Sequence, residues 1–432
     1  MNSIKFNNDE KYYQMINVLD LFAGAGGLSE GFYNEGFNIV SHVELDKQAC
    51  QTLRTREAFR FLKRVSLLDY YKYLEGKISR KELYDLIPNR DLDRVINEEI
   101  SLKTLRSIFA KIDNQLSEEK RKTVDVIIGG PPCQAYSIVG RNRDPNRMAN
   151  DPRNFLYRYY GKFLKYYKPK IFLFENVPGI LSAGNGRRLN TIFNHFRESG
   201  YTIHHSSNFL LNATNFGVAQ NRNRVILVGV RKDIKLKPSF EFNYNGTLKA
   251  EDLICHDLVK LGHNQGNLLR SEYIKEPNEY LTSSGIRNGE PFITQHYSRY
   301  TNENDREIYR IVATNLIKSN KKTRYEELPN HLIRHRNTKA FQNRFKAVNP
   351  KEPSQTIVAH MERDGHYYIH PDIEQNRSLT IREAARLQSF PDNYFFEGSR
   401  GAALRQIGNA VPPLMAKGLA KMIKEIFFNE TP

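Results

Sequence analysis

A chain of 432 residues, 39% hydrophobic and 11% aromatic, can build one large domain and a smaller one, and this composition excludes global disorder. Lys and Arg number 65 against 48 Asp and Glu, and the formal charge of +17 favours a polyanionic partner, because each phosphate neutralised releases a condensed counterion. Three scattered cysteines, Cys50, Cys133 and Cys255, exclude a disulfide scaffold and a cysteine-rich zinc site. No metal is expected, and with no signal peptide and no run long enough for a bilayer, a soluble cytoplasmic chain without a membrane partner is.

Five short apolar runs read as buried strands of a mainly parallel sheet: Ile16–Phe22, Ile39–Leu45, Val124–Ile128, Ile171–Phe174 and Val225–Val230. Helical spacing over Arg153–Tyr167 and Arg187–Glu198 separates them, which predicts an α/β, doubly wound domain. The first run opens into Asp20-Leu-Phe22-Ala-Gly24-Ala-Gly26-Gly27, where glycines let the backbone approach a ligand. Ser29 stands where a dinucleotide fingerprint needs its third glycine, so an NAD-dependent oxidoreductase is disfavoured. Glu44 closes the second run, placed to accept both ribose hydroxyls of an adenosine. A glycine loop with an acidic strand end and no phosphate grip fits S-adenosylmethionine.

Residues 57–122 are charged and Leu-rich and read as a helical insertion between strands. Val124–Ile128 then runs into Gly129-Gly130-Pro131-Pro132-Cys133-Gln134, which sets the thiol at a strand's carboxyl end, where open α/β sheets bind ligands. Glu175 closes the neighbouring run. Thr202–Leu211 and Asn223–Val230 predict an antiparallel hairpin at the sheet edge, entered through Gln220-Asn-Arg222-Asn-Arg224, with alternation placing both arginines on one face. Residues 232–350 lack strand–helix rhythm. Within them Lys318–Lys346 carries nine Lys or Arg against two Glu, interleaved with Tyr325, His331, His335 and Phe341, a pattern that suits contact with DNA. Thr380-Ile-Arg-Glu383 is a capping box opening a helix over Ile381–Gln388, and a last helix is predicted over Leu414–Phe428.

A thiol, a carboxyl and two guanidinium groups near one sheet end solve a specific problem. Cytosine C5 is too weak a nucleophile to take a methyl group from a sulfonium. Thiolate addition at C6 breaks the ring's aromaticity and makes C5 enamine-like. Charge developing at N3 needs a donor such as protonated Glu175, and an arginine can hold O2. A base stacked in a duplex is out of reach, so it must be flipped out.

These residues resemble the C5 cytosine-specific DNA methyltransferases of the bacterial restriction-modification type. Six ordered blocks carry the likeness: Asp20–Gly27, Pro132-Cys133-Gln134, Glu175–Val177, Gln220–Arg224, Leu379–Gln388 and Gln406–Pro412. The resemblance implies a mixed sheet of the S-adenosylmethionine-dependent methyltransferase type with a smaller, irregular α+β target-recognition domain. The boundaries implied are 1–231 catalytic, 232–350 target-recognition, and 351–432 returning to the catalytic domain. By position it implies Cys133 as nucleophile, Glu175 as N3 partner, Arg222 as support for the nucleophile and Arg224 as O2 contact. Phe22, Gly24, Gly26, Gly27, Glu44, Leu45, Pro132, Leu156, Asn409, Ala410 and Val411 would line the cofactor pocket, Leu156 in a weaker block with Asn154. Gln134, Ser137, Arg141, Gln220, Arg334, Arg336 and Arg344 would meet DNA, and 134–150 would be a loop closing over it.

Leu45 stands where many members have an aromatic against the adenine, and the acidic adenine contact after the third strand has only Asp69 as a weak match. Implied partners are double-stranded DNA and, functionally, a restriction endonuclease, with a monomer at the nucleoid. A tRNA cytosine-5 methyltransferase of the same fold is the alternative, disfavoured by the long 232–350 segment.

Overall fold

A computed structural model describes residues 15–131, 155–235, 237–266, 269–334, 342–363 and 365–429. Strands β1 (Asn17–Leu21), β2 (Asn38–Glu44), β3 (Val95–Asn97), β4 (Val126–Gly129) and β5 (Ile171–Asn176) are parallel, in the order β3-β2-β1-β4-β5. The antiparallel β9 (Asn223–Arg231) follows β5, and β6 (Tyr201–His204) and β7 (Leu210–Asn212) pair with its outer side. The expected hairpin pairing is present, but β9 is an interior strand and only β6 and β7 form the edge. Near-continuous apolar runs in β1, β4 and β9 reflect cover on both faces.

One face is covered by α5 (Leu105–Glu118), α6 (Leu156–Tyr167) and α7 (Arg187–Glu198). The other is covered by α1 (Gly27–Asn34) and α11 (Pro413–Asn429), the latter the predicted last helix. These two helices pack so closely that a Cβ on Gly31 would lie 2.4 Å from Ala416. Strand order reverses between β1 and β4, so the loops leaving both strands diverge there and open a crevice.

Residues 57–122 are not wholly helical. They hold the second half of α2 (Lys47–Val65), then α3 (Leu68–Leu74), α4 (Arg80–Asp85) and α5, but also β3, which extends the main sheet. Three residues flanked by charges left no apolar run to find. Phe59, Leu62, Tyr70, Leu74 and Leu83 pack on Phe292 and Phe395, so the segment is docked through its own apolar cluster.

Beyond β9 the chain is irregular, with a two-residue ladder β10–β11 (Arg270–Ser271, Ile293–Thr294) and the helix α8 (Glu303–Ser319). It then returns through β12 (Ser354–Gln355), which pairs with β8 (Gln220–Asn221), to α9 (Ile381–Leu387) and α10 (Arg400–Asn409). The predicted capping box is formed: Thr380 accepts from the Glu383 amide and Glu383 accepts from the Thr380 amide. Glu383 also takes both terminal nitrogens of Arg377 at 2.8 and 2.7 Å, and Arg386 bridges Asp257 and Asp392, all fully or almost fully buried.

This buried network makes the fold acid-sensitive. Burial, reinforced by Arg377, pushes His370 down to about 4. An unfolded histidine titrates near 6.5, so between those values the unfolded chain binds a proton that the native state refuses, and stability falls as pH drops. Burial alone would raise Glu383, yet Arg377 and His370 hold it below its ordinary range, so its contribution is lost at still lower pH. The denaturant midpoint is therefore expected to fall steadily from about pH 6.5 to 4, and His370→Gln to flatten that slope. A midpoint independent of pH in this window would contradict the network.

Candidate active site

The first loop leaves β1 in a strained path. Phe22, Gly24 and Gly26 have φ of 56, 55 and 79°, values that only glycine adopts without cost. A Cβ on Gly24 would meet nothing within 4 Å, so its backbone faces open space in the crevice. Gly27 begins α1 without any side-chain cap on the helix N-terminus, and a Cβ there would collide with the Val411 carbonyl at 2.2 Å. Residues almost four hundred positions apart thus form one wall.

Glu44 stands across from this loop. Its carboxylate accepts from the amides of Gly24 (2.8 Å), Leu45 (2.9 Å) and Asp46 (2.8 Å). Burial raises its pKa, and those three amides pull the other way. Two carboxylate oxygens offer about four acceptor sites, so capacity remains for a ligand hydroxyl. Leu45 is 62% exposed at the same edge. Leu156 opens α6 and is half-buried, and Asn409 is exposed beside buried Ala410 and Val411.

Asp69 is not part of this edge: it sits on α3, paired with Lys72. The residue that closes the third strand is Asn97, whose Nδ2 donates to the carbonyls of Glu44 and Leu45 at 3.1 and 2.9 Å. Its position could not be read because β3 itself could not.

The second loop leaves β4 through Gly129, with φ 149°, where a Cβ would strike the Leu21 carbonyl at 2.1 Å. A Cβ on Gly130 would lie 2.4 Å from Oε2 of Glu175. The backbone leading to Cys133 is therefore seated directly on that carboxylate. Arg224 meets the other side of it, Nε to Oε1 at 2.7 Å, with both side chains about nine-tenths buried. Pro132, Cys133, Gln134, Ser137, Arg141, Asn154 and Arg336 lie outside the described residues.

One expectation needs correction, that for Gln220. Arg222 lies close enough to Arg224 and Glu175 to feel both charges. It is fully buried, and its terminal nitrogens donate to the carbonyls of Ile357 (2.7 Å), Gly408 (3.0 Å) and Ala410 (2.7 Å). Those donors clamp the C-terminal segment. Gln220 is not available to DNA: it is fully buried, donating to Leu387 O and Gln388 Oε1 and accepting from the Ile357 amide. Pairing of β8 with β12 folds both side chains under returning chain that alternation alone does not reveal. Arg334 is exposed, and Arg344 lies about 6 Å from the rings of Tyr325 and Phe345 (6.0 and 5.9 Å), held over aromatic faces.

Residues 16–87 and 90–425 match the family model for the C-5 cytosine-specific DNA methylases. The chain belongs to that family. The enzyme is 40% identical to the type II methyltransferase M.Bpa9945I of Bacillus paralicheniformis, over 95% of this chain and 98% of that one. It is 30% identical to the type II methyltransferase M.DdeI of Desulfomicrobium norvegicum, over 96% and 90%. Among solved structures, a candidate DNA modification methyltransferase encoded within a prophage (E. coli) superposes with a TM-score of 0.65 at 23% identity, covering 96% of this chain and 99% of that one. The Dnmt2 methyltransferase of S. pombe superposes at 0.51 with 15% identity, covering 96% and 100%; both show the shared fold. The methylase is thus a DNA cytosine-5 methyltransferase. Among the described residues no group of three metal-ligand side chains occurs, and no helix is long and apolar enough to cross a membrane.

Proposed function

We propose that this methyltransferase modifies C5 of a flipped-out cytosine in a specific duplex sequence through a covalent bond from Cys133 to C6. The supporting observation is the Glu175–Arg224 pair lying against Gly130, two residues before the Pro132-Cys133 dipeptide, in the crevice that also holds Gly24 and Glu44. The crevice suits S-adenosylmethionine: Gly24 offers open backbone, Glu44 a carboxylate with acceptor capacity for a ribose, and Gly27, Ala410 and Val411 a wall. When bound, that cofactor supplies an electrophilic methyl group.

The chain's own residues prepare the base. The Cys133 thiolate adds to C6, and the electron pair of the C5–C6 double bond moves into the ring toward N3. Glu175, in its protonated form, gives its proton to N3 as the electron pair arrives there and takes it back when the ring is restored, and Arg224 donates to O2. After C5 is alkylated, loss of its proton to water lets the C–S bond break, releasing the thiolate and restoring the ring. Arg222 and Gln220 act as positioning residues, fixing the returning segment that completes the cofactor wall. We further infer a domain division near 231 and 350, a recognition role for 232–350, and service in a type II restriction-modification system beside an endonuclease, as the names of the relatives suggest.

Bisulfite sequencing of DNA from expressing cells is expected to reveal 5-methylcytosine in one sequence context. A duplex carrying 5-fluorocytosine in that context should then become covalently attached at residue 133 when S-adenosylmethionine is present, because fluorine cannot leave as the proton does. Peptide mapping that finds no adduct, or methyl transfer to tRNA in place of duplex DNA, would overturn the reading.

A further inference from the structure

Some exposed cations on this protein have acidic neighbours: on α4 Lys81 meets Asp85, and on α11 Lys417 lies 4.0 Å from Glu35. Others have none, and on the outer surface of α6 and at the start of α7 such cations gather in one place. Arg158, Lys162 and Lys165 recur at intervals of four and three residues, so they form one outward stripe, and all three are exposed. Arg187 and Arg188 open α7 beside them. The guanidinium carbons of Arg158 and Arg188 lie 4.7 and 5.6 Å from the ring centre of Phe155, which brings the two helix starts together.

None of these five cations forms an ion pair among the described residues. From Phe155 to Glu198 the only acidic residues are Glu175, already paired with Arg224, and Glu198, at the far end of α7 from Arg187 and Arg188. A helix face kept merely soluble would alternate its charges. Here Arg158 and Lys162 repel one another at i, i+4. Such uncompensated repulsion is relieved when a polyanion binds.

Position says which polyanion. Both α6 and α7 follow parallel strands and start at the rim where β4 and β5 end, the rim that carries Gly130 and Glu175. A duplex laid across that rim to deliver one extruded base continues in both directions, with one phosphate charge per ~1.7 Å of axis.

We propose that Arg158, Lys162 and Lys165, with Arg187 and Arg188, form a second phosphate-binding surface that grips duplex DNA flanking the methylated sequence. This rests on the reading of the chain as a DNA methyltransferase. The surface is sequence-independent, so it raises affinity for long DNA and lowers nothing in target choice.

The test compares R158Q/K162Q with K417Q/K421Q, which removes two exposed charges from the opposite face of the sheet. Binding to a labelled, unmodified duplex of about 40 base pairs is measured between roughly 50 and 200 mM salt. The slope of log K against log salt is expected to fall by about 1.8 for R158Q/K162Q, so its affinity loss across that range is about tenfold smaller than the parent's. The control slope should stay with the parent's. Equal slopes for parent and both variants would overturn the surface, and so would displacement of the duplex from the parent, but not from R158Q/K162Q, by tRNA at lower concentration than by unlabelled duplex. Cytosine-5 methylation by the parent is scored separately. Its absence would remove the activity itself and the surface with it, whereas its presence with unchanged slopes would remove only the surface.

Discussion

Alanine at Cys133 is expected to lower methyl transfer to duplex DNA by at least about a thousandfold while leaving folding and cofactor affinity intact. Without the thiolate there is no addition at C6, and C5 remains part of an aromatic ring that does not attack a sulfonium methyl. No other cysteine can substitute. Cys50 is buried behind Glu44, its thiol donating to the Glu44 carbonyl at 3.4 Å, and burial pushes it up to about 12. Cys255 follows a one-turn helix, Glu251–Ile254, in the irregular segment. Cys50→Ala is accordingly expected to keep near-parental turnover. Incorporation of a labelled methyl group, measured with a denaturation curve for each variant, checks both. A Cys133→Ala enzyme within tenfold of the parent would dismiss covalent catalysis outright.

The second large effect concerns Arg222. Methionine there is expected to destabilise the protein by about 3–5 kcal/mol, because three buried carbonyls lose a charged donor together. Those carbonyls belong to Ile357, Gly408 and Ala410, so the loss falls on the segment that closes the cofactor wall. The KM for S-adenosylmethionine should rise more than kcat falls. Lysine should not rescue, since one ammonium on a flexible stem cannot span three acceptors that a planar guanidinium reaches at once. Denaturant unfolding and the KM-against-kcat split decide the matter. Parental stability with kcat alone reduced a hundredfold would instead make Arg222 a direct partner of the reacting groups.

Much of this site was legible because its parts are local. Glycines at 24, 26, 129 and 130 announce tight loops, and an acidic residue at the end of an apolar run, as at Glu44 and Glu175, announces a strand mouth. The order of such runs also foretold the parallel sheet. What could not be read are the surfaces that cover these loops. Gln220 and Arg222 look like polar residues entering an edge strand, yet each is buried by chain more than 130 residues away in sequence. Likewise β3 is a strand only because β2 offers an unpaired ladder beside it, and β9 is interior only because β6 and β7 pair to its outer side. Local residue types determine where the backbone must bend and which groups end each strand. Which polar groups are left facing the crevice is settled by distant hydrogen-bond partners, since a buried donor must find an acceptor wherever the fold supplies one.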